Sequence, residues 1–390
     1  MEPVVIVAGA RTPIGSFGGA LSAMPAHELG AAAVREALAR TGDGLTVDDV
    51  VMGCIGQVGP DAYNARRVAL AAGLPVSTPA FNVNRLCGSG LQAILTGAMQ
   101  LQTGQGHVVV AGGDESMSRQ PFLMPAARDG WRLGNRELVD GTLSMVTDPW
   151  GGYPMGVTAE KVANRFGVTR AEQDAWALQS QERTAAAVAD GAFADEMVAV
   201  TISSRKGDVV VDVDEHPRPG TSLADLATLR PAFAGDGTVT AGNSSGINDG
   251  AAAVVLMRES EAQAQGLPVL GRLVGWESAA LEPEIMGYAP TQAITRLLSR
   301  LGMTVDDLDV VELNEAFAAQ VVAVVRDAGL DPERTNPHGG GIALGHPVGA
   351  TGAILTVKLL HDLRRRGLER GMVTMCIGGG QALAAVFERC

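Results

Sequence analysis

The chain has 390 residues, 46% hydrophobic and 19% charged, a balance that suits a packed globular enzyme of two or three domains and excludes a disordered chain. A formal net charge of −13 argues against nucleic acid as a partner, so an anionic ligand would have to be held by local cations and helix N-termini. The four cysteines, Cys54, Cys87, Cys376 and Cys390, lack metal-ligand spacing and are too few for a disulfide framework in a chain this long.

Residues 1–7 read as a strand with no basic leader, and no apolar run approaches the roughly 18 residues that span a bilayer. With the reduced cysteines, this leads us to expect a cytoplasmic protein without a membrane association. An amphipathic helix over 29–40 leads to Thr46-Val47-Asp48-Asp49-Val50 and then to an apolar strand over 51–54. The turn Asn84-Arg85-Leu86-Cys87-Gly88-Ser89-Gly90 opens a small-residue helix over 91–101, followed by a strand over 107–113.

A different segment, 119–242, then intervenes. It is rich in Met, Pro and Gly, and one clear helix is predicted over 169–190, where Thr169 and Glu172 form a capping box. An insertion of this length is usually a lid or binding loop. A buried strand over 251–257 completes the first half.

The pattern is then repeated. A helix over 291–301 leads to Thr304-Val305-Asp306-Asp307-Leu308 and a strand over 310–313. The two T-V-D-D blocks lie 258 residues apart, and the same offset carries Cys87 onto Gly345, the neighbour of His346. The turn Gly345-His346-Pro347-Val348-Gly349-Ala350-Thr351-Gly352 opens a helix over 353–363, whose basic run Arg364-Arg365-Arg366 suits a helix C-terminus. A strand over 372–378 ends in Cys376-Ile377-Gly378-Gly379-Gly380. Alternating strands and helices in two copies imply a mainly parallel α/β sheet, with the cysteine and histidine turns facing a shared cleft.

Two thiols and one imidazole on glycine-flanked turns suit carbon–carbon bond chemistry on thioesters. One cysteine carries an acyl group while the other moves a proton, whereas a cysteine hydrolase needs only one thiol and a base. Cys54 and Cys390 read as structural or incidental, and the methionines as packing and loop contacts. No partner is legible for His27, His107, His216 or His361, while His338 stands just before Gly339-Gly340-Gly341, close to the catalytic turn.

Over essentially its whole length the chain resembles the thiolases. The resemblance rests on Ala8-Gly9-Ala10-Arg11-Thr12-Pro13, the Cys87 turn, Glu115-Ser116-Met117-Ser118 and Ala241-Gly242-Asn243-Ser244-Ser245-Gly246. Asn314-Glu315-Ala316-Phe317, the His346 turn and the Cys376 turn complete it, all in the family order. It implies the thiolase fold, two five-stranded βαβαβαββ halves stacked as α/β/α/β/α with an inserted loop domain. The corresponding boundaries are 1–118 plus 243–267, 119–242 and 268–390. It also implies a homotetramer built as a dimer of dimers, with coenzyme A and its thioesters as substrates and no metal or redox cofactor.

By the same resemblance Cys87 is the nucleophile, activated by the helix dipole and by His346, and Cys376 is the second acid–base group. One oxyanion would sit between His346 and a water held by Asn314, the other on the amides of Cys87 and Gly378. Coenzyme A would contact Met155, Arg218, Ser245, Gly246, Ala316 and Phe317, with Arg218 at the nucleotide end. Pro154 stands where the biosynthetic branch carries histidine, Asp225 replaces a small polar residue, and Arg85-Leu86-Cys87 looks more like the degradative branch. The competing readings are a ketoacyl-synthase-type condensing enzyme, a non-catalytic acyl-CoA-binding protein on the same scaffold, and a cysteine hydrolase. The second thiol at Cys376 and the Asn314-Glu315-Ala316-Phe317 segment favour the thiolase.

Overall fold

A computed structural model describes residues 2–42, 44–203, 205 and 207–390; Met1, at the head of the first predicted strand, lies outside them. The first half contains β1 (Val4–Arg11), α1 (Ala26–Ala39), β2 (Asp49–Gly53), α2 (Asn64–Ala71), β3 (Ala80–Val83), α3 (Ser89–Gln102), β4 (Val108–Ser116) and β5 (Asn248–Arg258). Between β4 and β5 the insertion carries α4 (Met155–Phe166) and α5 (Arg170–Ala189). The second half contains β6 (Gly271–Ala280), α6 (Ala289–Leu301), β7 (Val310–Leu313), α7 (Ala318–Ala328), α8 (Thr351–Arg366), β8 (Arg370–Ile377) and β9 (Gln381–Glu388).

The repeat legible in the sequence is a repeat of strand order, but the sheet is mixed and not mainly parallel as expected: β2 with β3, β2 with β4 and β7 with β8 pair parallel, while β1 with β5, β1 with β6, β4 with β5, β6 with β9 and β8 with β9 pair antiparallel. The first half runs β3-β2-β4-β5-β1, and the second runs β7-β8-β9-β6. The fifth strand expected in the second half is reduced to a single parallel bridge, Val311 to Thr335. The halves meet where β1 pairs antiparallel with β6 through Val4–Leu273, Val5–Arg272 and Ile6–Gly271, so one hydrogen-bonded sheet runs through both.

Period-two alternation along these strands sorts the core into layers. Val4, Ile6, Val109 and Val254 of the first half and Val373, Met375, Leu383 and Ala385 of the second share one apolar cluster with α3 and α8. The alternate residues Val5, Val50, Val110 and Val255 face α1, while Leu313, Met372, Ala384 and Val386 face α6 and α7. The arrangement is helix, sheet, central helix pair, sheet, helix, the layering of the thiolase fold.

Glycine permits the close crossing of the central pair. A Cβ on Gly90 would lie 2.8 Å from the Ala353 nitrogen, and one on Gly352 would lie 2.5 Å from the Leu91 nitrogen. The two helix N-termini, equivalent in the repeat, therefore abut backbone to backbone. The Cys87 turn and the His346 turn are brought side by side by this contact.

The insertion is anchored to β1 by Arg11, buried with its guanidinium on Glu196 (2.6 Å) and Asp214 (2.7 Å). Helix α5 begins at its capping box, with Thr169 and Glu172 bonded reciprocally. Helix α4 carries no side-chain N-cap, starts after Pro154 and ends at Gly167 with φ of 65°. The Met, Pro and Gly content of the segment hid it in the sequence. Asp225 is the N3 residue of a capping box with Ser222 at the start of a short helix, Leu223–Thr228, which gives the departure at this position a structural role. In the basic run, Arg365 and Arg366 both reach back to Asp362 within the last turns of α8.

Substituting Gly352 with alanine is expected to destabilise the protein by about 1–3 kcal/mol, because the added methyl meets backbone that no side-chain rotation can move. Urea unfolding of G352A against wild type checks this, and an unchanged midpoint would contradict the backbone-to-backbone contact.

Candidate active site

Cys87 sits on the turn between β3 and α3. Leu86 holds φ of 49°, a left-handed conformation that L-residues other than glycine adopt only under constraint. The constraint is visible: Asn84 Oδ1 accepts from the Leu86 amide, Ser89 Oγ donates to the Leu86 carbonyl at 2.6 Å, and the Arg85 amide donates to Ser89 Oγ at 2.9 Å. The turn places the thiol beside the start of α3. The backbone N–H groups of Gly378 and of Cys87 itself hydrogen-bond toward its sulfur, which pulls the thiol down, yet burial pushes it up to about 11. The helix dipole expected to yield a thiolate is outweighed by desolvation, so the resting nucleophile is a neutral thiol.

His346 arrives from the opposite half. Its ring is buried and its pKa falls to about 4 through desolvation, which leaves the imidazole neutral. Nδ1 lies 2.6 Å from Thr351 Oγ1, whose hydroxyl donates to the Pro347 carbonyl at 2.9 Å. With that proton spent, Thr351 accepts from Nδ1–H, and Nε2 keeps its lone pair. Asn314 Nδ2 lies 3.4 Å from Nε2, and Asn314 Oδ1 is buried without a hydrogen-bond partner among the described residues.

Cys376 lies one residue before the end of β8, fully buried, with its thiol pushed well up by burial and then by the neighbouring Cys87 sulfur. The hairpin from β8 to β9 turns through Gly378, Gly379 and Gly380, the last two with φ near 80°. Gly378 lies between Leu86 and Met155, since a Cβ there would be 3.1 Å from the former and 3.8 Å from the latter. Cys87, Gly378 and Cys376 thus lie together, while Asn314 stands beside His346 on the turn that abuts the start of α3.

Of the residues assigned to coenzyme A, Ser245 lies on the Ala316–Phe317 segment and Met155 beside Gly378. Ser244 bridges Phe317, and the Ser245 amide donates to the Ala316 carbonyl at 3.0 Å. Gly246 packs on His216, where a Cβ would lie 2.4 Å from Cε1, a contact that the sequence did not reveal. Arg218, two residues further, is exposed and forms no ion pair among the described residues. Met155 starts α4 beside Gly378.

Four supporting residues escaped the sequence reading as functional, although their positions fall within or beside its motifs. Asn248 Oδ1 accepts from the His346 amide at 2.9 Å, and Thr351 sets the ring. Glu115 accepts from the Gly349 amide at 3.0 Å. Glu315 gathers Trp176 Nε1 (2.9 Å), Ser180 Oγ (2.7 Å), Asn336 Nδ2 (2.9 Å) and the Ile342 amide (3.2 Å). It thereby fixes α5 of the insertion against the Asn314 turn. His338 stands apart from this group, with Nε2 2.7 Å from Asp362 Oδ1 on α8. Cys54 is buried, Cys390 is exposed, and all four cysteines are free.

The comparisons with known proteins agree with this geometry. The thiolase N-terminal domain model matches residues 4–260 and the thiolase C-terminal domain model residues 267–389. The chain is 48% identical to an acetyl-CoA acetyltransferase of Pseudomonas aeruginosa, covering 100% of both chains. It is 51% identical to a beta-ketothiolase of Cupriavidus necator, covering 99% of each. Among solved structures, the Bacillus anthracis acetyl-CoA acetyltransferase superimposes with a TM-score of 0.98 at 44% identity, covering 100% of this chain and 99% of that one. Human mitochondrial 3-ketoacyl-CoA thiolase in complex with CoA superimposes with a TM-score of 0.95 at 43% identity, covering 100% and 98%. The chain belongs to the thiolase family and is an acyltransferase acting on coenzyme A thioesters.

Proposed function

We propose that the enzyme forms and cleaves 3-ketoacyl-CoA through an acyl group carried on Cys87, with Cys376 as the second acid–base group. The observation that carries this reading is the pair of neighbouring thiols, half-buried Cys87 and buried Cys376, with Gly378 N–H directed at the Cys87 sulfur and a buried, neutral imidazole on the turn that abuts the start of α3.

In thiolysis, Cys87 Sγ attacks the 3-keto carbon as its proton passes to His346 Nε2. The amides of Cys87 and Gly378 or the His346–Asn314 pair then face the developing oxyanions, each such donor being worth about 3–4 kcal/mol. When the bond between C2 and C3 breaks, its electron pair becomes the acetyl-CoA enolate, and the Cys376 thiol protonates C2. A thiol held well above its ordinary range is protonated at rest, which suits this step. Coenzyme A thiol then attacks the acyl group, and its proton together with that on His346 restores both cysteines. Condensation is the same path reversed, with Cys376 removing the α-proton.

Coenzyme A lies, in this reading, along Met155, Ser245, Gly246, Ala316 and Phe317, with exposed Arg218 toward its nucleotide phosphates. The insertion 119–242 serves as the lid and CoA-binding domain between the halves 1–118 plus 243–267 and 268–390. No metal or redox cofactor is called for by these steps. We assign the enzyme to the cytoplasm, supported by its free cysteines and by the finding that no helix among the described residues is long and apolar enough to cross a membrane. A homotetramer is supported by the edge strand β3, which pairs on one side only, with exposed Phe81, and by the apolar side chains Phe122, Trp131 and Leu133 presented by the insertion.

Incubation with acetyl-CoA is expected to leave an acetyl adduct in intact-protein mass spectra of wild type and C376A, and none in C87S. In C376A the exchange of α-hydrogens into acetyl-CoA should fall by about 10²–10⁴-fold, the usual contribution of a general base. An adduct on another cysteine, or undiminished exchange, would overturn the assignment.

The degradative leaning rests on Pro154, which supplies no imidazole and leaves an apolar wall beside Met155. Thiolysis of six- and ten-carbon 3-ketoacyl-CoAs is therefore expected alongside acetoacetyl-CoA. The comparison of kcat/KM across the three checks it, and activity confined to the four-carbon substrate would refute it.

A further inference from the structure

The histidine turn belongs to the second half of the repeat, yet the side chains that accept from its amides belong to the first. Asn248, at the start of β5, accepts from the His346 amide, and Glu115, near the end of β4, accepts from the Gly349 amide. Glu115 is fully buried, and Gly349 presses on it so closely that a Cβ would lie 2.4 Å from Oε2. The same carboxylate accepts from the Ile55 amide on Oε2 and the Gly56 amide on Oε1, each at 3.0 Å. One buried carboxylate thus joins the loop after β2, the strand β4 and the turn that carries the catalytic imidazole.

We infer that Glu115 is a positioning residue for catalysis, whose carboxylate fixes the distance of the His346 turn from the Cys87 side of the cleft. A packing role alone would not require a carboxylate here. Three backbone donors aim at it from two separate segments, and the site collects them in a place where an apolar side chain would leave all three unpaired. Burial raises Glu115 to about 7 against the pull of those amides. The titratable groups facing it are the Cys54 thiol at 3.8 Å and Asp114, both pushed up by burial, and its own charge is felt at Cys87. The carboxylate therefore acts through the amides it holds, and through the turn to His346.

The inference rests on the acyl-enzyme reading, and the test separates the two. Acetyl-CoA labelling of the full-length enzyme counts acylatable Cys87 sites, and kcat is expressed per such site. Glu115→Gln keeps the shape but offers an amide where Gly56 N–H needs an acceptor; Glu115→Asp keeps the charge but shortens the reach. Both are expected to lower kcat per acylatable site by about 10–100-fold, the scale set by small misplacements of a catalytic group, with KM for acetyl-CoA little changed. Wild-type kcat per site in either folded variant would overturn the inference. A wild-type enzyme that forms no acetyl adduct on Cys87 would instead overturn the underlying reading.

Discussion

The close crossing of α3 and α8 at Gly90 and Gly352 is the constraint on which the site depends. A helix pair separated by ordinary side chains keeps its axes about 8–10 Å apart, and the turns at their N-termini would then stand apart as well. Here the crossing is made by backbone meeting backbone. The turn of one half that carries the thiol and the turn of the other that carries the imidazole are drawn together as a consequence. The repeat supplies two equivalent turns, and the glycines at the crossing bring them side by side.

Burial at that point decides the chemistry. Desolvation pushes Cys87 to about 11 and pulls His346 to about 4, so the pair rests uncharged. A neutral pair is ready to separate charge when a thioester arrives and the amides of Gly378 and Cys87 can stabilise the product. The same desolvation makes every misdirected dipole costly, which accounts for the surrounding completeness of hydrogen bonding. Thr351 dictates the tautomer, Asn248 and Glu115 hold the turn, and Glu315 ties the insertion to Asn314. Asn314 Oδ1, by contrast, is a buried acceptor without a partner among the described residues, as is Asp114 Oδ2 next to Glu115.

Much of this was legible in the sequence because the repeat is written twice. The strand over 310–313 and the helix capped by Thr169 match the structure at their ends, since a capping box fixes the one and a short, mainly apolar run the other. Helix α4 was not legible, since glycine and proline flank it and its start is set by the packing of Gly156 against Phe233, a long-range contact. The single-bridge remnant at Thr335 was equally hidden, because a strand is defined by its neighbour and not by its own residues. At the site, sequence named the candidate groups but not what desolvation does to them. The helix N-terminus favours a thiolate by local geometry, while desolvation at the meeting of the two halves favours the neutral thiol. The supports Glu115, Glu315 and Thr351 stood within recognised motifs, and only the distances gave them work to do.

The central claim is that Cys87 and His346 rest as a neutral thiol and a neutral imidazole, with the proton moving only when substrate is bound. Ultraviolet difference absorbance of thiolate, wild type minus C87S, measures this directly across neutral pH in the absence of substrate. The account predicts no Cys87-dependent thiolate band until the solution becomes strongly alkaline. A thiolate band lost on substitution of Cys87 and already full at neutral pH would show a preformed thiolate–imidazolium pair and contradict it.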